Sequence, residues 1–152
     1  MFKAITHHQI WVLDQDEALD FYVGKLGFEV NTDVALEHMR WLTVNVPGQP
    51  ERQLVLMLPE PPAVDAEAVE AVRDLVAKGN GGGMPILTTD DCRGDYERLV
   101  AKGVEFTEEP TERFYGIDCG LRDPFGNHIR MTQPAPLPVT PPSGSARASS
   151  TG

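Results

Sequence analysis

The side chains best suited to move a proton are the four histidines, His7, His8, His38 and His128, because imidazole titrates near neutral pH without help. Two residues beyond the last of them stands Arg130, in the stretch DPFGNHIRMTQP (residues 123–134). A guanidinium keeps its charge and presents a planar fork of donors, so inside a fold it needs an anionic or strongly polar partner. That partner is either a carboxylate or carbonyl group on a ligand, or an acid of the chain such as Glu105 or Asp118. Two chemistries follow. His7 or His128 acts as a general acid–base while Arg130 stabilises an enolate or carboxylate, as in a lyase or isomerase, or the same groups anchor a ligand without turnover. The only cysteines, Cys92 and Cys119, lack Cys-x-x-Cys spacing and read as reduced structural thiols.

Strand alternation sorts these groups by face. A strand through residues 5–12 puts His7, Gln9 and Trp11 on one side and His8, Ile10 and Val12 on the other, and a strand at 127–133 puts His128, Arg130 and Thr132 together.

The strands belong to an internal repeat. ITHHQIWVLDQDEALDFYVGKLGFEV (5–30) aligns with GMPILTTDDCRGDYERLVAKGVEF (83–106), Asp14 matching Asp91 and KLGFEV matching AKGVEF. Each copy reads as a strand, an aspartate that caps a helix, a glycine that stops it, and a second strand. Glu17 is placed to complete a capping box with Asp14, and Gly27 and Gly103 stop the two helices. Ala18, Leu19, Phe21, Tyr22 and Leu26 make an apolar stripe on the first helix; Tyr96, Leu99 and Val100 make one on the second. Further strand-like stretches, FEVNTDVAL, HMRWLTVNV and RQLVLMLP in the first half and VEFTEEP, YGIDCGLR and NHIRMTQ in the second, are separated by the turns PGQPE and DPFGN. Between the halves, Val64, Ala68, Val72, Leu75 and Val76 mark a short amphipathic helix. GNGGG (79–83) reads as a hinge, since it lacks the Lys-Ser/Thr of a phosphate-binding loop.

This βαβββ pair, with DQDEALDFYVGKLGF in the first half and VEFTEEP then DPFGNHI in the second, resembles the vicinal oxygen chelate superfamily, the glyoxalase/bleomycin resistance protein/dioxygenase group, over residues 4–134. The resemblance implies an α+β fold of two tandem βαβββ modules (about 4–59 and 83–134, linker 60–82) whose curved mixed sheets surround a cavity. Residues 1–134 form one domain and 135–152, rich in Pro, Ser and Gly, a disordered tail. In metal-dependent relatives, ligands project from the first and last strands of the modules. Here those positions become His7, Met84, Arg130 and the ligand-free segment LVLML (54–58), so the resemblance implies neither metal nor other cofactor. It directs His7 and Arg130 inward and with them Gln9, Trp11 and His128. The function implied is binding of a small organic molecule, with Trp11 and Trp41 as apolar wall and His7, Gln9, Arg40, His128 and Arg130 as polar anchors. The alternatives are a divergent lyase, isomerase or dioxygenase-type enzyme using His7 or His128 with Arg130, and a protein that self-associates without a ligand. Relatives of this kind imply a homodimer.

The charge balance, 23 Asp and Glu against 13 Lys and Arg for a net charge of −10, argues against nucleic acid and anionic membrane surfaces as partners. No apolar run approaches the roughly 20 residues that span a bilayer, and the first residues do not read as a secretion signal. The expected compartment is the cytoplasm.

Overall fold

The computed structural model describes residues 1–136 and 140–143; of the tail expected at 135–152, residues 137–139 and 144–152 lie outside them. The first module runs β1 (His7–Trp11), α1 (Gln15–Tyr22), β2 (Glu29–Ala35), β3 (Arg40–Asn45) and β4 (Gln53–Met57). A 3-10 turn at Ala66–Ala68 leads into the linker helix α2 (Val69–Ala77). The second module repeats the order: β5 (Ile86–Thr88), α3 (Cys92–Ala101), β6 (Glu105–Arg113), β7 (Gly116–Arg122) and β8 (His128–Pro134). Two four-stranded sheets result, ordered β1-β4-β3-β2 and β5-β8-β7-β6. In each, the strand before the helix pairs parallel with the last strand of its module and the remaining pairs are antiparallel.

The helix signals act as their chemistry requires. Asp14 Oδ1 accepts from the Glu17 amide at 2.9 Å and Asp91 Oδ1 from the Gly94 amide at 3.0 Å, each satisfying a free donor of the first turn. At the end of α3 the Val104 amide reaches back to Leu99 O and the Gly103 amide to Val100 O, with Gly103 at φ +84°. This closure needs a residue in the left-handed region, where only glycine is unstrained. Regular α1 ends at Tyr22, short of Gly27. The Gly24 and Leu26 amides bond five residues back, to Leu19 O and Phe21 O, so the chain widens before Gly27 turns it at φ +80°.

Two stripe assignments shift. The inward face of α3 is Cys92, Tyr96 and Leu99, one residue in every turn, and Val100 points out with 46% exposure. On α2, Val76 is fully buried while its neighbour Leu75 is 48% exposed, because 100° per residue separates adjacent side chains.

One apolar cluster spans both modules, with Ile10, Val12, Phe21, Tyr22, Leu42 and Leu56 from the first and Val104, Cys119, Leu121, Ile129 and Met131 from the second. Gln15, itself buried, ties α1 to its sheet by donating from Nε2 to Leu56 O (2.9 Å) and Arg40 O (3.1 Å). The DPFGN turn is the polar joint between modules. Asp123 Oδ1 accepts from the Phe125 and Asn127 amides, and Oδ2 from Tyr22 Oη (2.8 Å) and Asn127 Nδ2 (2.7 Å). Asn127 Nδ2 also donates to Trp11 O at 2.7 Å. Four donors make a buried carboxylate tolerable. Burial, and then the adjacent Asp123 carboxylate, hold the Tyr22 phenol well above its ordinary range.

Candidate functional site

Because Ile10, Val12, Leu42, Val44 and Leu56 face the helices, alternation sends His7, Gln9, Trp11, Trp41, Thr43, Val55 and Met57 to the opposite, helix-free face of the first sheet. Register agrees: Gln9 stands beside Val55, Val55 beside Thr43, and Trp11 beside Met57. The His7 and Trp41 rings approach diagonally across this face, centroids 6.1 Å apart and planes tilted by 47°. Between them Val55 is 4% and Thr43 0% exposed. The Thr43 hydroxyl is buried with no hydrogen-bond partner among the described residues, a cost that is removed only if the side chains above it part to admit a partner. His7 Nδ1 is hydrogen-bonded to Thr6 Oγ1 at 2.8 Å. His7 also borders a cleft of about 610 Å³ between the modules, lined by Phe28, Val44 and Leu54 on one side and by Met84, Ile86 and Leu87 on the other.

Arg40 does not join this group. It precedes Trp41 in β3 and therefore points to the helix side, where Nε and Nη2 grip Asp33 (2.8 and 2.9 Å) and Nη1 donates to Asp16 of α1 at 2.8 Å. Three of its five N–H donors are held in this clamp. The Asp33 carboxyl is lowered by the hydrogen bonds from Arg40.

The second sheet has a helix-free face of different character. His128 and Arg130 share it, as alternation predicts, with Thr132, Asp118, Arg122 and Glu108. Arg130 Nη2 donates to Asp118 Oδ2 at 2.5 Å, and Nη1 lies 3.5 Å from Glu108. Asp118, 5% exposed, also accepts from Tyr115 Oη (2.7 Å) and Thr132 Oγ1 (3.3 Å). Burial works to raise the Asp118 carboxyl, but the hydrogen bonds from Arg130 and Tyr115 outweigh it and leave it below the ordinary range. Arg130 thus has the internal acid partner that the sequence allowed, and Asp118 rather than Glu105 is the main one. Arg113 holds the other side of Glu108 at 2.9 Å. Sequence reasoning missed Thr43, Glu108, Tyr115 and Arg122; alternation about Trp41 could have found Thr43.

The residues do not fit the divalent metal of metal-dependent relatives. His7 is present, but Met84 and Arg130 occupy two ligand positions, and Val55 and Met57 are the side chains that LVLML turns to this face. A thioether and a guanidinium already bound to two acids do not make a hard or borderline ion site. Among the described residues no three His, Cys, Asp or Glu side chains converge elsewhere, and no helix is long and apolar enough to cross a membrane.

Comparison with known proteins agrees with the architecture. Residues 4–131 match the Glyoxalase/Bleomycin resistance protein/Dioxygenase superfamily. The crystal structure of UcmS2 is similar at TM-score 0.81 and 42% identity, covering 87% of this chain and 98% of that one. That of TnmS3, an antibiotic binding protein from Streptomyces sp. CB03234, is similar at TM-score 0.70 and 30% identity, covering 88% and 98%. YurT, an uncharacterised protein of Bacillus subtilis (strain 168), is 36% identical over 125 residues, 82% of this chain and 94% of its own. With its paired βαβββ modules and this match along nearly the whole folded region, the chain belongs to the glyoxalase/bleomycin resistance protein/dioxygenase superfamily.

Proposed function

We propose that this protein binds a small, largely apolar aromatic molecule on the helix-free face of its first sheet, without a catalytic metal, as a homodimer in the cytoplasm. The observation that carries the reading is the His7–Trp41 ring pair over the unpartnered Thr43 hydroxyl. Aromatic walls, an apolar floor of Val55 and Met57, and a few polar groups (Gln9, His7, Thr43) are the usual composition of a small-molecule site. Similarity to TnmS3, an antibiotic binding protein, supports an antibiotic as the ligand, and the His7–Trp41 ring pair favours an aromatic one. Free thiols at Cys92 and Cys119 support a reducing compartment. The homodimer is supported by the edges of β1 and β5, each paired on one side only, and by Met84 and Ile86, 50% and 64% exposed beside them.

Proton transfer by His7 or His128 with Arg130 has less support, since both terminal nitrogens of Arg130 face acids of the chain. Self-association alone leaves the Thr43 hydroxyl unexplained.

The chain's two tryptophans, Trp11 and Trp41, both stand on the proposed face, so intrinsic fluorescence reports directly on it. Titration with a panel of aromatic antibiotics is expected to give saturable quenching, unaltered by prior dialysis against EDTA. Trp41→Ala should weaken the best binder by about tenfold or more, the usual cost of truncating a central aromatic contact. Unchanged affinity in a folded Trp41→Ala protein would remove the platform from the site.

A further inference from the structure

On the helix-free face of the second sheet the arginines divide. Arg113 and Arg130 are paired with acids. Arg122 is not: among the described residues no carboxylate lies in ion-pair reach, its Nε is buried without a partner, and its polar contact is His128 Nε2, 3.4 Å from Nη2. Glu105 stands directly opposite Arg122 in the β6–β7 register, and in a chain with 23 acidic residues a partner is not scarce. A half-buried guanidinium left unpaired in such surroundings is poised for an anion from outside the chain.

From this geometry we propose that Arg122 and His128 form a carboxylate-binding subsite. The inference goes beyond the small-molecule reading above, which concerns the first sheet. A guanidinium N–H only donates, so His128 Nε2 is the accepting side of this contact. The Arg122 guanidinium supplies one fixed positive charge. It matches a carboxylate monoanion, whose two oxygens suit the planar fork, better than a phosphate dianion, which would stay half neutralised near Glu105 and Glu108. The linker supplies the remaining wall. Gly79, at φ +79°, lies so close that a Cβ there would be 2.9 Å from His128 Nε2. The first glycine of GNGGG thus lets the turn after α2 pack against the imidazole.

The test uses the full chain and two probes, benzoate and inorganic phosphate, titrated at constant ionic strength while NMR follows the Arg122 Nε–H and the His128 ring. Benzoate is expected to shift both signals saturably and to bind more tightly than phosphate. Arg122→Gln should weaken benzoate at least tenfold, and Arg122→Lys, which keeps the charge and loses the fork, severalfold. Absence of saturation, phosphate binding as tightly as benzoate, or unchanged affinity in either variant would overturn the subsite; if Arg122→Gln does not fold, Arg122→Lys decides. Because this titration reads the second sheet and tryptophan quenching reads the first, failure of one is distinguishable from failure of the other.

Discussion

At the scale of single residues, period-two alternation was enough to group His7 with Gln9 and Trp11, and His128 with Arg130. The same rule separates Arg40 from Trp41, since adjacent strand residues cannot share a face. What alternation cannot give is the partner of a charge. Arg130 and Asp118 are twelve residues apart and meet because β7 and β8 lie side by side. Arg130→Met keeps most of the side chain's apolar reach but strands the nearly buried Asp118 carboxylate, and should destabilise the fold by roughly 1–3 kcal/mol, the cost of a buried acceptor that loses its donor. The pH dependence has a definite sign. A carboxyl held below its unfolded value contributes stability that is complete above the ordinary aspartate pKa of about 3.9 and is lost as pH falls through the lower folded value. Without Arg130 the folded value rises, so acid unfolding of Arg130→Met should begin at higher pH than in the wild type. Melting temperature against pH from 2 to 7, with about 0.2 pH unit resolving power, checks this; superimposable acid limbs would mean that Asp118 is held by Tyr115 and Thr132 alone.

At the scale of elements, the capping aspartates and the stop at Gly103 were legible because helix ends are satisfied locally, within a turn of the groups they serve, whereas α1 ends at Tyr22, before the expected stop at Gly27. The inward stripes were less so: Val100 and Leu75 are apolar and correctly spaced for one choice of face, and packing selected the neighbouring choice. The DPFGN segment was legible as a turn but not as a joint, because Tyr22, its partner, lies 101 residues away. Removing that phenol should loosen the modules from each other. Tyr22→Phe is expected to cost about 1.5–3 kcal/mol, the range for a hydrogen bond to a charged group. Urea denaturation measures it, and an unchanged midpoint would show that the other three donors satisfy Asp123 by themselves.

At the scale of the molecule, the prediction concerns assembly. Ile86 lies on the free edge strand β5 and is 64% exposed. Ile86→Glu places a charge there and should shift sedimentation from dimer to monomer without loss of helical or sheet signal; a wild-type protein that sediments as a monomer would refute the homodimer. The repeat, its βαβββ order, the capped helix starts and the strand residues that travel together could be read from the chain alone, since each is written in short-range periodicity or in a side chain's reach to its own backbone. It took strand pairing to clamp Arg40 with Asp33 and Asp16, to pair Arg130 with Asp118 and Glu108 while Arg122 is left with His128, and to bring His7 up to Trp41. Those outcomes depend on which strands become neighbours, and sheet pairing brings together residues whose separation along the chain carries no trace of the contact.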